Sequence, residues 1–173
     1  MRIGRAVVAW KSFFQSREKR PERLPWKTIV LAWIGAFLGA AALGLAQDKL
    51  GTAMILGSFG ASCLLIFAYP QSPFAQPRNV IGGHFLASLT GLVFLSLFGA
   101  TWWSMALSVA TGIALMLILR VPHPPAGSNL FIVMLVDAGW EFLFTPTLFG
   151  SVLLVLVAMV WHNATGKRYP TFW

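Results

Sequence analysis

Long apolar runs separated by short polar breaks dominate the chain. The runs cover residues 28–47, 50–69, 80–98, 101–119, 121–139 and 142–161. Each is close to the ~20 residues that a helix needs to cross the ~30 Å hydrocarbon core of a bilayer. The runs between residues 80 and 119 require a tight turn near residue 100, because one helix of that length would be about 60 Å long. The pattern therefore predicts an all-α membrane protein with six membrane segments.

Composition and charge agree with a membrane protein and indicate its orientation. Hydrophobic residues make up 57% of the 173 residues and charged residues only 10%, whereas soluble domains carry roughly 25% charged residues. The bases at one set of breaks are Arg78, Arg120, Lys167 and Arg168. The acids at the other set are Asp48, Asp137 and Glu141, with one base, Lys49. Because basic loops stay in the cytoplasm, we expect a multi-pass membrane protein with both termini cytoplasmic.

The N-terminal 27 residues carry much of the net charge of +8. Apolar residues recur there at helical spacing among basic ones, which is typical of an amphipathic helix on the inner leaflet. A flexible basic tail is the alternative. Anionic lipids are the expected partner, rather than nucleic acid. The expected organisation is a basic segment over 1–27, a transmembrane domain over 28–162 and a cytoplasmic tail over 163–173.

Two similar stretches lie in the second and fifth segments. GASCLLI covers residues 60–66 and AGSNLFI covers residues 126–132, with three of seven positions identical. Three segments per half make the halves antiparallel, so we expect two inverted three-segment repeats. Interrupted segments at matching positions of such repeats indicate a transporter's midplane site. In the first segment, Gly35 and Gly39 predict close approach of another helix, from the same chain or from a second subunit of a homo-oligomer.

Proline and glycine break the second and fifth segments. Residues 121–125 are expected to be extended, because proline does not fit a helix interior, with a helix beginning near Ser128. Residues 58–62 are expected to begin a second half-helix from the opposite side, so that two helix N-termini favour an anion near the midplane. The predicted anion-binding residues are Ser58, Gly60, Ser62, Cys63, His123, Gly127, Ser128 and Asn129. Two kinked helices that merely pack are the alternative.

Three stretches together resemble the HPP family of bacterial and chloroplast membrane proteins. They are HPPAGS at 123–128, GSFGAS at 57–62 and YPQSPFAQPRNVIGGH at 69–84. The resemblance extends over about residues 25–165. It implies an integral protein of the bacterial inner membrane with a role in nitrite transport. The family is usually described with four spanning helices, whereas the pattern here predicts six.

The expected function is therefore passage of a small inorganic anion, nitrite in particular, and not catalysis. No carboxylate is expected at membrane depth, although pumps usually bury one for the coupling ion, so facilitated passage is favoured over ion coupling. No cofactor is expected, and no metal, because paired Cys and His motifs are absent. His84 is expected to be a hydrogen-bonded structural histidine, with a proton relay as the alternative.

Two other functions stay open. A membrane scaffold or sensor would show no flux and no polar cavity between Ser62 and Ser128. An intramembrane serine hydrolase would use the serine of GASC, with His84 or His123 as its base. That function requires a contact between nucleophile and base.

Overall fold

The computed structural model of the protein describes residues 20–173. In this range it contains six α-helices and no β-strand, which confirms the predicted all-α fold. The helices are α1 (Trp26–Leu50), α2 (Gly57–Ala68), α3 (Pro77–Phe98), α4 (Trp102–Ile118), α5 (Gly127–Leu135) and α6 (Phe149–Ala164). The predicted surface helix of residues 1–27 falls mainly outside the described residues, and residues 20–25 are not helical.

Local sequence sets the helix boundaries. α1 ends at Gly51, whose φ of 64° is left-handed and therefore suits glycine. α3 begins with Pro77, which is favoured in a first helical turn. Thr101 caps α4, because its side chain accepts a hydrogen bond from the Ser104 amide at 3.3 Å. With Gly99 at a φ of 68°, the predicted tight turn near residue 100 is confirmed.

Helix length separates full spans from half-helices. Three stretches are long and apolar enough to cross a membrane, namely Trp26–Leu50, Pro77–Phe98 and Trp140–Ala164. α2 and α5 have 12 and 9 residues, about 18 and 13 Å at ~1.5 Å per residue. Neither covers the ~30 Å core alone. The second and fifth segments are thus broken near the proline and glycine residues, as the sequence predicted. The inverted-repeat relation between the two halves stays a prediction.

The charged residues define two ends of the helix bundle. The basic end carries Arg78, Arg120, Lys167 and Arg168, and the acidic end carries Asp48, Asp137 and Glu141. At the basic end the Arg78 guanidinium donates to the Leu119 carbonyl at 3.2 Å. α5 runs parallel to α3, with Asn129 beside His84 and Val133 beside Gly91. α5 therefore begins within the bundle and points towards the acidic end.

Three glycines bring α1, α2 and α6 close together. A Cβ atom added to Gly35 would lie 2.5 Å from a Phe67 ring carbon, and one added to Gly150 would lie 2.5 Å from a Phe59 ring carbon. Gly39 also faces the Phe67 ring. We call Gly35, Gly39, Gly150, Phe59 and Phe67 the glycine seam. The close approach predicted for α1 is therefore made within one chain.

The C-terminal tail folds back onto the loop that precedes α3. Tyr169 is 1% exposed, and its hydroxyl donates to the Ala75 carbonyl at 2.7 Å. The Thr171 amide donates to Gln76 Oε1 at 2.9 Å. Burial raises the pKa of the Tyr169 phenol, so this hydroxyl keeps its proton. The tail predicted over 163–173 is thus docked on the bundle, and α6 continues to Ala164.

Candidate functional site

Seven polar side chains lie buried where α2, α3 and α5 meet. Each is 0% exposed, and together we call them the polar cluster: Ser58, Ser62, His84, Ser88, His123, Asn129 and Thr147. Burying polar groups among apolar ones costs free energy unless they form hydrogen bonds. Their concentration in one place in a membrane protein therefore indicates a functional site.

Helical periodicity and two breaks in the chain assemble the cluster. Serine residues one turn apart on α2, and His84 with Ser88 one turn apart on α3, each share a helix face. Asn129 lies in the first turn of α5. His123 comes directly before the short 3-10 turn Pro124–Ala126, and Thr147 lies in the kinked stretch Phe144–Leu148 before α6. The irregular backbone thus supplies side chains that continuous helices would place elsewhere.

The Ser62 hydroxyl lies at the centre of the cluster. Its Oγ is 2.9 Å from His84 Nε2 and 2.8 Å from His123 Nε2. The same oxygen is 3.0 Å from the Ser58 carbonyl oxygen. The two imidazole centroids are 4.9 Å apart. One serine hydroxyl therefore bridges two histidines from different parts of the fold.

The outer nitrogen of each imidazole also has a partner. His123 Nδ1 is 2.8 Å from the Phe74 carbonyl oxygen, and His84 Nδ1 is 3.3 Å from Asn129 Nδ2. The Asn129 amide donates to Ser88 Oγ at 2.9 Å, and Ser88 Oγ is 2.9 Å from Thr147 Oγ1. The hydrogen-bonded chain thus runs from His123 through the Ser62 hydroxyl to Thr147. Two cluster atoms have no partner in the described protein, namely Ser58 Oγ and Asn129 Oδ1.

Two clefts approach the cluster from opposite ends. The cleft at the basic end has a volume of about 370 Å³ and is lined by Phe74, Met116, Pro122, His123 and Gly127 among others. The cleft at the acidic end has a volume of about 500 Å³ and is lined by Leu56, Gly57, Glu141, Thr145 and Pro146 among others. The first contains the histidine that begins the chain of hydrogen bonds. The second is lined by Pro146, the residue directly before Thr147, at which the chain of hydrogen bonds ends.

Gly83 allows the turn containing His123 to pack against α3. A Cβ atom there would lie 2.6 Å from His123 Cβ and 3.1 Å from the Val121 carbonyl oxygen. The Phe59 ring packs edge-on to His84, with centroids 5.0 Å apart. Both imidazoles are therefore held by close contacts as well as by hydrogen bonds.

Four of the eight predicted site residues lie in the cluster. They are Ser58, Ser62, His123 and Asn129. Cys63 is buried in the apolar core that contains Phe59 and Phe67, and Gly127 lines the basic-end cleft. Gly60 and Ser128 are exposed. The prediction that Ser128 faces Ser62 is therefore wrong, because Ser128 is offset by about 100° around α5 from the inward-facing Asn129.

The backbone amides expected to bind an anion are already hydrogen-bonded. The Gly127 amide donates to the carbonyls of Pro124 and Pro125, and the Ala126 amide donates to the His123 carbonyl at 3.0 Å. On α2 the Gly60 amide lies 3.4 Å from the Leu56 carbonyl oxygen. The prediction of free amides is therefore wrong for Gly60 and Gly127, and side chains are the main polar groups that the site offers.

Three cluster members were absent from the predicted site. His84 forms the expected hydrogen bonds, but its position at the centre of the site was not predicted, and neither Ser88 nor Thr147 was considered. The spacing of His84 and Ser88, four residues apart on an otherwise apolar helix, is the signal that indicates a polar face. In residues 20–173 no group of three or more His, Cys, Asp or Glu side chains is placed to hold a metal.

Comparisons with known proteins cover nearly the whole chain. The family model described as "HPP, transmembrane region" matches residues 21–170. Two Dictyostelium discoideum proteins, each named a transmembrane protein, are 38% and 35% identical to the chain over 170 and 171 residues. The matches cover 91% and 90% of this chain but 60% and 54% of those proteins, so the chain spans less than two thirds of their length. No solved structure matches the chain.

Proposed function

The chain belongs to the HPP transmembrane family, and from that premise we propose that it passes a small inorganic anion, nitrite in particular, across the membrane. The supporting observation is the hydrogen-bonded chain of side chains between the two clefts. Packing alone does not require polar groups at this depth, because each costs free energy to bury. A path for a polar solute does require them.

The chemistry of the cluster suits weak binding of an anion. Hydroxyl, amide and imidazole groups replace part of an ion's hydration shell, and the unpartnered Ser58 Oγ and Asn129 Oδ1 leave hydrogen-bonding capacity unused. No cluster member is a carboxylate that would repel an anion. The positive dipole ends of α2 and α5 add favourable potential. Loose binding of this kind suits a conductor, which must release what it binds.

Nitrite flux into liposomes that contain the purified protein tests this function. Ser62→Ala should lower the flux by about tenfold, equivalent to about 1.4 kcal/mol, because it removes the hydroxyl that joins both histidines. Ser128→Ala is the matched control, since Ser128 is an exposed serine outside the cluster, and it should transport like the parent. If nitrite, nitrate and chloride all fail to exceed their leak through protein-free liposomes, anion passage is wrong and the scaffold or sensor role takes its place.

The proposed orientation places the basic end in the cytoplasm of a bacterial cell, with anionic lipids binding residues 1–27. The distribution of bases and acids supports it. Single cysteines replacing Arg78 and Asp48, both exposed, test it in a Cys63→Ser background. An impermeant thiol reagent added to intact cells should label Asp48→Cys and spare Arg78→Cys. The opposite labelling would reverse the orientation.

An intramembrane serine hydrolase is the second candidate, because Ser62 Oγ lies 2.8 Å and 2.9 Å from two imidazole nitrogens. Such contacts resemble a nucleophile with its base. Ser62 is nevertheless fully buried, and we propose no catalytic step. A serine-reactive fluorophosphonate should therefore leave the protein unlabelled. Labelling of the parent that Ser62→Ala abolishes would favour the hydrolase.

A further inference from the structure

The Ser62 hydroxyl has one proton and lies between two imidazole nitrogens. It can donate to His84 Nε2, to His123 Nε2 or to the Ser58 carbonyl oxygen 3.0 Å away, but to only one of the three. The carbonyl of Phe74 removes part of this ambiguity, because a carbonyl only accepts and His123 Nδ1 lies 2.8 Å from it. His123 Nδ1 therefore carries a proton. In the neutral ring its Nε2 is an acceptor and takes the hydroxyl proton of Ser62.

This assignment determines the remaining hydrogen bonds of the neutral cluster. His84 Nε2 donates to Ser62 Oγ, so His84 Nδ1 is the acceptor that faces the Asn129 amide group. Asn129 donates to Ser88, and Ser88 donates to Thr147. Every contact is then satisfied except that of Ser62 Oγ with the Ser58 carbonyl. His84 Nδ1 can still take a proton, and so can His123 Nε2 when the Ser62 hydroxyl turns to the Ser58 carbonyl.

A second arrangement accommodates one more proton. With a proton on His84 Nδ1, a half-turn of the Asn129 amide places Oδ1 towards His84 and Ser88, where it accepts from both. Ser88 then accepts from Thr147, and the contact permits either direction. The added charge is shared by His84 and His123 through the Ser62 hydroxyl. The two arrangements differ by one proton and the rotation of an amide whose two ends have nearly the same shape.

The same rotation presents a donor at an open position. In the neutral arrangement Asn129 Oδ1 has no partner in the described protein. After rotation the amide nitrogen occupies that position with its N–H groups unpaired. Uptake of a proton thus creates both a positive charge and a hydrogen-bond donor for an anion.

No charged side chain in residues 20–173 lies where it would balance this proton. The elements that contribute to the cluster are α2, α5, the turn Pro124–Ala126 and the stretch Phe144–Leu148, and none of them contains Asp, Glu, Lys or Arg. On α3 the one charged residue is Arg78, which is exposed and bonded to Leu119. Two further titratable groups lie nearby, Cys63 in the apolar core and His162 of α6 on the Ile66 carbonyl. The counter-charge must therefore come from a ligand.

We propose that the polar cluster is a proton-binding site at which one proton and one small anion bind together, so that the protein transports them as a neutral pair. This rests on the anion passage proposed above and identifies its coupling ion. The proton comes from water in one cleft and leaves the cluster together with the anion, into the water of the other cleft, and only N–H and O–H bonds form or break. The Asn129 amide cannot relay a proton as an imidazole or hydroxyl does, so a proton does not cross the cluster by itself.

Liposomes held at zero membrane potential, with a pH-sensitive dye inside, test the pairing. Nitrite added outside should acidify the interior by one proton for each nitrite that enters, after subtraction of the leak in protein-free liposomes. An imposed voltage should leave the flux unchanged. Voltage-driven nitrite entry without acidification would overturn the pairing and leave anion passage intact. Absence of any flux would overturn both.

Nitrogen-15 NMR of labelled histidine tests the proton site without transport. At high pH His84 should carry its proton on Nε2 and His123 on Nδ1, and acidification should add one proton to the pair, on His84 Nδ1. Two rings that each take up a proton independently would contradict the shared site.

Asn129→Asp is the decisive variant, because a carboxylate can only accept at this position. It should favour the proton on His84 Nδ1 and lower nitrite flux by at least about tenfold, since a fixed carboxylate takes the place of the anion as the counter-charge. Ser128→Asp introduces the same charge one residue away, on the exposed face, and should change the flux less than about twofold. Equal flux in the two variants would overturn the assignment of Asn129.

Discussion

The side chains of α2 make two different kinds of contact with the rest of the bundle. One face contributes Phe59 and Phe67 to the glycine seam, where the two rings pack against glycines and the fit depends on shape. The other contributes Ser58 and Ser62 to the polar cluster, where the fit depends on which atom donates and which accepts. In a bilayer, helices associate by close packing and by polar contacts, and α2 makes both kinds of contact. A substitution that adds side-chain volume should therefore destabilise the packing at the glycine seam. A substitution that removes a hydrogen-bonding group should destabilise the polar cluster.

Gly35→Val should have the largest effect on folding. A Cβ atom at this position would lie 2.5 Å from the Phe67 ring and 2.7 Å from Trp161 Nε1, which donates to the Leu31 carbonyl at 3.1 Å. Overpacking of this kind costs about 1–3 kcal/mol or more. The fraction of monodisperse protein in detergent and its melting temperature should both fall.

Gly44→Ala in the same helix is the control for this substitution. Nothing lies within 4 Å of a Cβ atom there, and alanine is the better helix former by about 1 kcal/mol. This variant should be as stable as the parent or more so. Equal melting of Gly35→Val and the parent would show that the seam tolerates added volume.

Ser62→Ala should have the next largest effect on stability. The substitution hardly changes the volume, but it leaves both imidazole Nε2 atoms without their shared partner, at a cost of about 1–3 kcal/mol. Ser128→Ala should stay within about 0.5 kcal/mol of the parent, as surface substitutions usually do. Equal melting temperatures for these two variants would contradict the distinction between cluster and surface.

The Ser88 and Thr147 pair should show the smallest effect. The substitutions Ser88→Ala and Thr147→Val each remove one end of a 2.9 Å hydrogen bond, and a double-mutant cycle should yield a coupling of about 0.5–1.5 kcal/mol. Additive single effects would show that the cluster ends at Asn129 and does not extend to the acidic end.

Breaks in the chain were predictable because their causes are local. Pro122, Pro124 and Pro125 do not fit the interior of a helix, so the start of α5 at Gly127 was expected close to Ser128. The direction of a side chain around that helix was not predictable to the same degree. An error of one residue rotates the predicted face by about 100°, which is why Asn129 lies in the cluster and Ser128 does not.

Contacts between distant segments were the least predictable part of the site. Gly35 and Gly39 indicated that a helix would come close, but small residues do not specify which helix, and the structure supplies α2 and α6 of the same chain. Likewise, nothing near His84 in the sequence identifies Asn129 as its partner, and the sequence suggests a contact with Ser62 only for the hydrolase alternative. Those pairings depend on the register of α3 against two other elements, which is a property of the whole fold.

The docked tail links a chain terminus to the chemistry of the site. Tyr169 binds the Ala75 carbonyl, and the carbonyl of the preceding residue, Phe74, decides which nitrogen of His123 carries a proton. An affinity tag or fusion partner that pulls the tail from this loop would therefore alter the histidine at the centre of the bundle. A tag placed directly after residue 173 is therefore expected to affect the hydrogen bonds of His123 as well as the position of the tail.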